Sequence, residues 1–326
     1  MKGIELTPEH PINRTVDLAE RAEAAGFDAV LASCHYNNRD PLVTLTRIAD
    51  ATDGVRLGPA AANPYDVHPV KLASQMATLD EVSDGRALYG IAAGDRSTIA
   101  NLGYDHDDAL RRVLEAFTVA RDLWDGQTVS HDGTFTARDA SLNYDAEAIP
   151  VYVGAQGPHM IRMSAKHAEG VLLNASHPAD FEWASERVAE GLAERPDDRG
   201  EFDVGAHVSV SVAADADAAR EAARPPVAFI VGGAAPPVLD RHGVDDDLAA
   251  EIGEFIEAGE FSDAFAAVTP EMIDAFAVAG TEETVAERLS DIAEYADSIV
   301  ASAPLGPDLD TAVSLAGAAI DRATRE

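Results

Sequence analysis

Cysteine is almost missing from this chain of 326 residues: Cys34 stands alone, so neither an intramolecular disulfide nor a thiolate metal cluster can form. Lysine is confined to Lys2, Lys71 and Lys166, and 24 basic residues face 58 acidic ones. The formal net charge of −34 repels nucleic acid and anionic membranes, which excludes both as partners. No apolar run reaches membrane-spanning length, and the opening MKGIEL leads straight into a strand without a signal peptide, so a cytoplasmic protein is expected. No Gly-x-Gly-x-x-Gly follows the first strand, and neither Gly-x-x-x-x-Gly-Lys nor His-Glu-x-x-His occurs. Those absences argue against a doubly wound nucleotide-binding sheet, the runner-up architecture, and against a metal site.

What is present is a patterned apolar fraction of 46%, too large and too regular for a disordered acidic chain. An acidic, lysine-poor surface resembles proteins of salt-loving organisms, where counterions screen the self-repulsion. The length allows two ordinary domains or one large α/β barrel.

The stretch from His68 to Asp95 organises the rest. Val70, Ala73, Met76, Ala77, Leu79 and Val82 recur at helical spacing, Ser83-Asp84-Gly85 stops the helix, and Ala87 to Ala92 resumes as a buried strand. That strand empties into Gly94-Asp95, at the outgoing end where βα proteins build their sites.

Along the chain, strands are expected at 3–6, 27–32, 55–61, 87–92, 151–154, 171–173, 202–212 and 298–301, with helices between them. Alternation around His131-Asp132-Gly133 predicts a hairpin inserted at about 128–142, and the rhythm lapses in a long insertion at about 225–280, with short helices near 248–258 and 272–276. Eight strands alternating with helices predict a single-domain (β/α)8 TIM barrel over residues 1–326. Asp245-Asp246-Asp247 reads as a solvated turn, and Trp124 and Trp183 as packing residues.

Glu5 lies between Ile4 and Leu6 and points opposite to them, inward in a barrel strand. An interior carboxylate is costly when charged and unpaired, so it is protonated, paired or functional, and a neutral buried acid suits general acid catalysis.

Leu-Asp-x-x-Ser-x-Gly-Arg at Leu79 to Arg86, after Pro69 and before Gly94-Asp95, resembles the luciferase-like superfamily. GIELTPEHP at Gly3 to Pro11, HYNN at His35 to Asn38, LGPAAANPY at Leu57 to Tyr65, GAQGP at Gly154 to Pro158, NASHP at Asn174 to Pro178, PPVLDRHG ending at Gly243 and SAPLGPD at Ser302 to Asp308 occur in the order of the methylenetetrahydromethanopterin reductases. The resemblance implies a TIM barrel that binds coenzyme F420 and reduces the methylene group of a tetrahydropterin to methyl, with Glu5 as proton donor. It places a non-proline cis peptide at Ala60-Ala61, where the family commonly has glycine at the first position, and a contact role without nucleophilic chemistry at Cys34, where the family has aspartate. Asp95 is taken with Glu5 as catalytic. Cys34, His35, Asn37, Ala60, Ala61, Asn63, Gly94, Gln156, Gly157, Asn174, Ala175 and Ser176 are taken as cofactor-binding, the coenzyme phosphate falling to backbone amides near Gly157 or Ala175-Ser176. The pterin is tetrahydromethanopterin or tetrahydrofolate, and salt-loving organisms that lack methanogenesis give the folate weight. An FMN-dependent monooxygenase and a non-catalytic flavin-binding barrel are the competing readings. A homodimer or homotetramer is expected, as in the family.

Overall fold

The computed structural model describes residues 1–325 and the alternation expected of a barrel chain. Its strands are β1 (Lys2–Leu6), β2 (Ala29–Ser33), β3 (Arg56–Ala60), β4 (Tyr89–Ile91), β5 (Val129–Asp132), β6 (Thr136–Ala140), β7 (Val151–Ala155), β8 (Gly170–Asn174), β9 (Asp203–Val212), β10 (Val278–Gly280) and β11 (Ser298–Leu305). β5 and β6 form the antiparallel hairpin foreseen near His131. The paired strands β1, β2, β3, β4, β7, β9, β10 and β11 run parallel, and with β8 they alternate with helices as in a (β/α)8 TIM barrel.

The chain divides into two compact units. The first spans residues 3–172 and 186–204. Here β1, β2 and β3 lie side by side, with Glu5 opposite Leu31 and Ser33 opposite Ala60, and β4 pairs with β7 from Tyr89↔Val151 to Ile91↔Val153. β3 and β4 meet irregularly: near the start Leu57 donates to the Arg86 carbonyl and accepts the Leu88 N–H, and Ala62 takes over at the far end by donating to Gly90 and accepting from Ala92. Pro59 has no N–H to offer between them. The backbones come so close that a Cβ on Gly58 would stand 2.2 Å from the Leu88 carbonyl oxygen, and one on Gly90 2.0 Å from that of Pro59.

The Leu79 to Arg86 motif is a staple of this unit rather than part of its site. Asp80 accepts the Ala87 N–H at 3.1 Å, while Arg86 donates to the carbonyls of Ser83, Val55 and Ala49 at 2.7, 2.9 and 3.0 Å. One guanidinium thereby ties the helix turn to the end of the helix Pro41–Ala49. The helix Pro69–Val82 packs on the helix Ala109–Trp124, where Trp124 donates to Ala73 at 3.0 Å and meets the buried Tyr89 ring edge-on. Trp124 is a packing residue, as expected.

The second unit comprises residues 1–2, 173–185 and the chain from Gly205 onward. β9 is flanked by β11 and β10, with Val208 opposite Ala301 and Val210 opposite Val278. β10 corrects the sequence expectation, which left 278–280 inside an irregular insertion; three residues are too few to show a period. The insertion also starts inside an element. A helix runs unbroken over Ala216–Gly233, through Pro225 and Pro226. Each proline removes a hydrogen bond, yet Ala219, Ala223, Val227, Ala228 and Val231 bury one face, most of it in a cluster with Leu239, Ile252, Met272 and Phe276. Burial of that face outweighs the proline penalty. Asp245 caps the next helix, Asp246–Ala258, by accepting the Leu248 N–H.

Candidate active site

In the first unit, the pleat decides which side chains share a face. Register places Glu5, Leu31, Ser33, Gly58 and Ala60 on one side of β1, β2 and β3. Ala60 and Ser33 are small, while Gly58 is closed off by the Leu88 carbonyl. Glu5 is 6% exposed and accepts from the Thr7 hydroxyl at 3.2 Å. Ser33 is 4% exposed, and its hydroxyl has no hydrogen-bond partner among the described residues. A buried hydroxyl left in this state is costly and calls for a missing partner. Sequence reasoning missed Ser33; its signal was one polar residue ending an otherwise apolar strand, AVLAS.

The Ala60-Ala61 peptide is cis, where the resemblance placed it. Cys34 follows Ser33 and lies against this point: the Ala60 N–H points to its sulfur, and its thiol donates to the Ala32 carbonyl at 3.6 Å. Burial, then the charges of Glu5, Asp66 and Asp40, push the Cys34 thiol far above the ordinary thiol range. It is a neutral contact residue and a poor nucleophile.

The outgoing loops of β2, β3 and β4 converge. Asn101 donates to the Tyr36 hydroxyl at 3.4 Å, and His106 bonds the Gly94 carbonyl at 3.0 Å. Asn63, 9% exposed, accepts the Tyr65 N–H at 2.8 Å. Tyr65 stacks on His106, and Arg112 lies over the Tyr65 ring at 4.4 Å. Beside them is a cavity of about 340 Å³ lined by Tyr65, Tyr104, Asp105, Asp107, Asp108, Arg112 and Thr134.

Asp95, expected at the outgoing end of its strand, opens a short helix, Arg96–Asn101, that the sequence reading did not foresee, and accepts the Thr98 N–H at 2.8 Å. Aspartate is a strong helix-capping residue, which the reading of that segment overlooked. Its carboxylate is thus tied at a helix start. His35 and Asn37 are exposed on the β2 loop. Gln156 and Gly157 are exposed at the end of β7, and Gly157 caps the helix Pro158–His167 with open space where a side chain would be. Gly154 on β7 lies close to Ala92 and Ala61, so the ends of β3, β4 and β7 come together.

Asn174, Ala175 and Ser176 belong to the second unit. Asn174 is exposed, Ala175 half-buried, and the buried Ser176 accepts the Ser209 N–H at 3.1 Å. The helix Pro178–Leu192 begins immediately beyond. Among the described residues no cluster of His, Cys, Asp or Glu could hold a metal ion, and no helix is long and apolar enough to cross a membrane.

The profile of the family described as "luciferase-like monooxygenase" matches residues 2–299. The chain is 40% identical over 321 residues to the 5,10-methylenetetrahydromethanopterin reductase of Archaeoglobus fulgidus, covering 97% of each. It is 37% identical to the enzyme of the same name from Methanolobus tindarius, over 97% of this chain and 98% of that one. Among solved structures, the coenzyme F420-dependent tetrahydromethanopterin reductase of Methanopyrus kandleri superposes with a TM-score of 0.89 at 35% identity, covering 97% of this chain and 96% of that one. These matches run the length of the chain, including the strand ends that gather Glu5, Ser33 and the cis peptide. The chain belongs to the luciferase-like monooxygenase family and, within it, to the 5,10-methylenetetrahydromethanopterin reductases.

Proposed function

We propose that this chain reduces the methylene group of a 5,10-methylene-tetrahydropterin to methyl, with coenzyme F420 as hydride carrier and Glu5 as proton donor. The observation that carries the proposal is the face shared by buried Glu5 and the unpaired Ser33 hydroxyl beside the cis Ala60-Ala61 peptide. It occurs in a chain that is similar to named F420-dependent reductases over its full length.

The residues fit a deazaflavin. Ala60 and Ser33 give a small-residue face against which a planar ring can lie, and the Ser33 hydroxyl offers a hydrogen bond that no described residue takes. Asn63 and Cys34 would border the ring, and Gly157 leaves a helix start open to an anionic group. Bound there, the reduced coenzyme supplies a hydride.

Glu5 supplies what a hydride carrier cannot. Its carboxyl group would pass a proton to a nitrogen of the substrate's five-membered ring, which opens to expose an electrophilic carbon. The Thr7 hydroxyl on Oε1 fixes the orientation of that carboxyl group. Asp95, tied by its capping bond, is a second carboxylate for the pterin.

The acidic surface suits a cytoplasmic enzyme working at high salt as a homodimer or homotetramer, with tetrahydromethanopterin or tetrahydrofolate as carrier. The test is anaerobic and in molar potassium chloride: reduced F420 is mixed with each methylene-pterin and deazaflavin absorbance is followed. Oxidation that depends on one pterin is the expected result and names the carrier. Coenzyme binding without oxidation by either pterin would overturn the substrate; absence of coenzyme binding would overturn the cofactor.

A further inference from the structure

Asn63 follows the cis Ala60-Ala61 peptide in the loop that leaves β3. It is 9% exposed, and its Oδ1 accepts the Tyr65 N–H at 2.8 Å. A backbone N–H can only donate, so the amide oxygen faces Tyr65 and the other arm of the side chain is Nδ2, a donor with two hydrogens. That nitrogen has no hydrogen-bond partner among the described residues. It lies against Gly94, just beyond the end of β4, where no side chain intervenes. A buried amide donor without an acceptor is costly and calls for one from a ligand.

The residue that Asn63 bonds is itself held from several sides. Tyr65 is 8% exposed; its hydroxyl donates to the Asp107 carbonyl, and its ring stacks on His106 with centroids 5.4 Å apart. His106 in turn bonds the Gly94 carbonyl at 3.0 Å. Over the same ring lies Arg112, at 4.4 Å, and its guanidinium donates to the Pro64 carbonyl at 3.2 Å and to the Thr134 carbonyl at 2.6 Å. Thr134 sits in the turn between β5 and β6, where Glu115 accepts its N–H at 2.7 Å and its hydroxyl at 2.8 Å. One planar fork thus joins the helix Ala109–Trp124, the hairpin and the loop that carries Asn63, in a geometry that a lysine ammonium does not reproduce. All of these residues belong to the first unit, as do Glu5, Ser33 and the cis peptide.

A hydrogen bond weakens steeply once donor and acceptor leave line. An amide on a loop therefore serves a rigid planar ring only where the loop is fixed, and Arg112 fixes this one.

We propose that Asn63 Nδ2 donates a hydrogen bond to a carbonyl oxygen of the deazaflavin ring, and that Arg112, acting through Pro64 and Tyr65, is the positioning residue that aims it. This rests on the F420 reading above and adds to it one named contact and the group that holds that contact in place. It also gives the inserted hairpin a task, since Thr134 is one of the points that hold Arg112.

The experiment titrates F420 onto the full-length protein in molar potassium chloride without pterin, following coenzyme fluorescence, with thermal melts of each coenzyme-free variant alongside. Asn63→Asp keeps the acceptor for the Tyr65 N–H and loses the donor, and binding should weaken about tenfold. Arg112→Met loses both carbonyl bonds, and binding should weaken about fivefold in the wild-type background yet hardly at all in the N63D background, where nothing is left to aim. If melts show R112M unfolded, Arg112→Lys, which keeps the charge and loses the fork, takes its place in the same cycle. Wild-type affinity in N63D would overturn the contact, as would an effect confined to the KM for the pterin. Wild-type affinity in the Arg112 variant, or effects that multiply in the double variant, would overturn the positioning role. Failure of the wild type to bind F420 would instead overturn the functional reading on which the proposal depends.

Discussion

Asn63 and Gly94 touch so closely that no side chain fits between them: a Cβ on Gly94 would stand 2.3 Å from Asn63 Nδ2. Gly94 also has φ +74°, a conformation that costs other residues about 1–2 kcal/mol. Gly94→Ala should therefore lower stability by at least that amount and displace Asn63 from Tyr65. Thermal melts and F420 titrations in molar salt check both effects. Adding Asn63→Ala should relieve the clash, leaving the backbone cost and the loss of the bond from the Tyr65 N–H.

Glu5→Gln keeps the shape of the side chain and removes its proton. Turnover should fall by about 10²- to 10⁴-fold, the usual span for a positioned acid, while F420 affinity stays within about twofold of wild type. Rapid-mixing and equilibrium titration separate the two quantities. Unchanged turnover would remove Glu5 from the chemistry.

Ser33→Ala makes a two-sided prediction. Deleting an unpaired buried hydroxyl should leave the coenzyme-free protein as stable as wild type or more so, because a desolvated polar group is removed. The same change should weaken F420 binding by about three- to tenfold through loss of one hydrogen bond. A loss of stability together with unchanged binding would assign Ser33 to the core.

The Cys34 thiol is pushed upward, first by burial and then by Glu5, Asp66 and Asp40. Its thiolate fraction at pH 8 should be negligible, so alkylation by iodoacetamide should be far slower than for an unfolded cysteine peptide. Cys34→Asp would place a further carboxylate beside Glu5, and the charge repulsion should lower stability as pH rises from 4 to 7. A urea series over that range measures it.

Glu115 anchors the β5–β6 hairpin. Burial works against its charge, but bonds from the Thr134 N–H and hydroxyl, His131 and Arg111 outweigh that and hold the carboxyl at about 2, below its ordinary 4.5. Because the folded value is the lower one, the stabilisation is complete above pH 4.5 and lost as pH falls toward 2. Hydrogen exchange in residues 129–140 should quicken across that window, and Glu115→Gln should abolish the dependence.

The barrel was legible because alternating apolar strands and helices carry their own period, and Glu5 stood out as a carboxylate inside such a strand. The site was less legible where its meaning depends on register. Ser33 becomes informative only once it is opposite Ala60, and Asp95 only once the backbone turns into a helix at the next residue. The staple made by Arg86 shows the opposite case, a conspicuous motif whose work is to close a helix turn. Asp180 pairs with His242, some sixty residues away, a separation that no local spacing reveals.

The seam between β3 and β4 sets limits on how this enzyme can be altered. Gly58 and Gly90 each face a neighbouring carbonyl across a gap too narrow for one carbon, so any library that randomises these positions will be filled with broken barrels. The variable ground lies beyond the strand ends, at exposed His35, Asn37 and Gln156, where a new pterin or a new electron carrier can be sought without touching the seam.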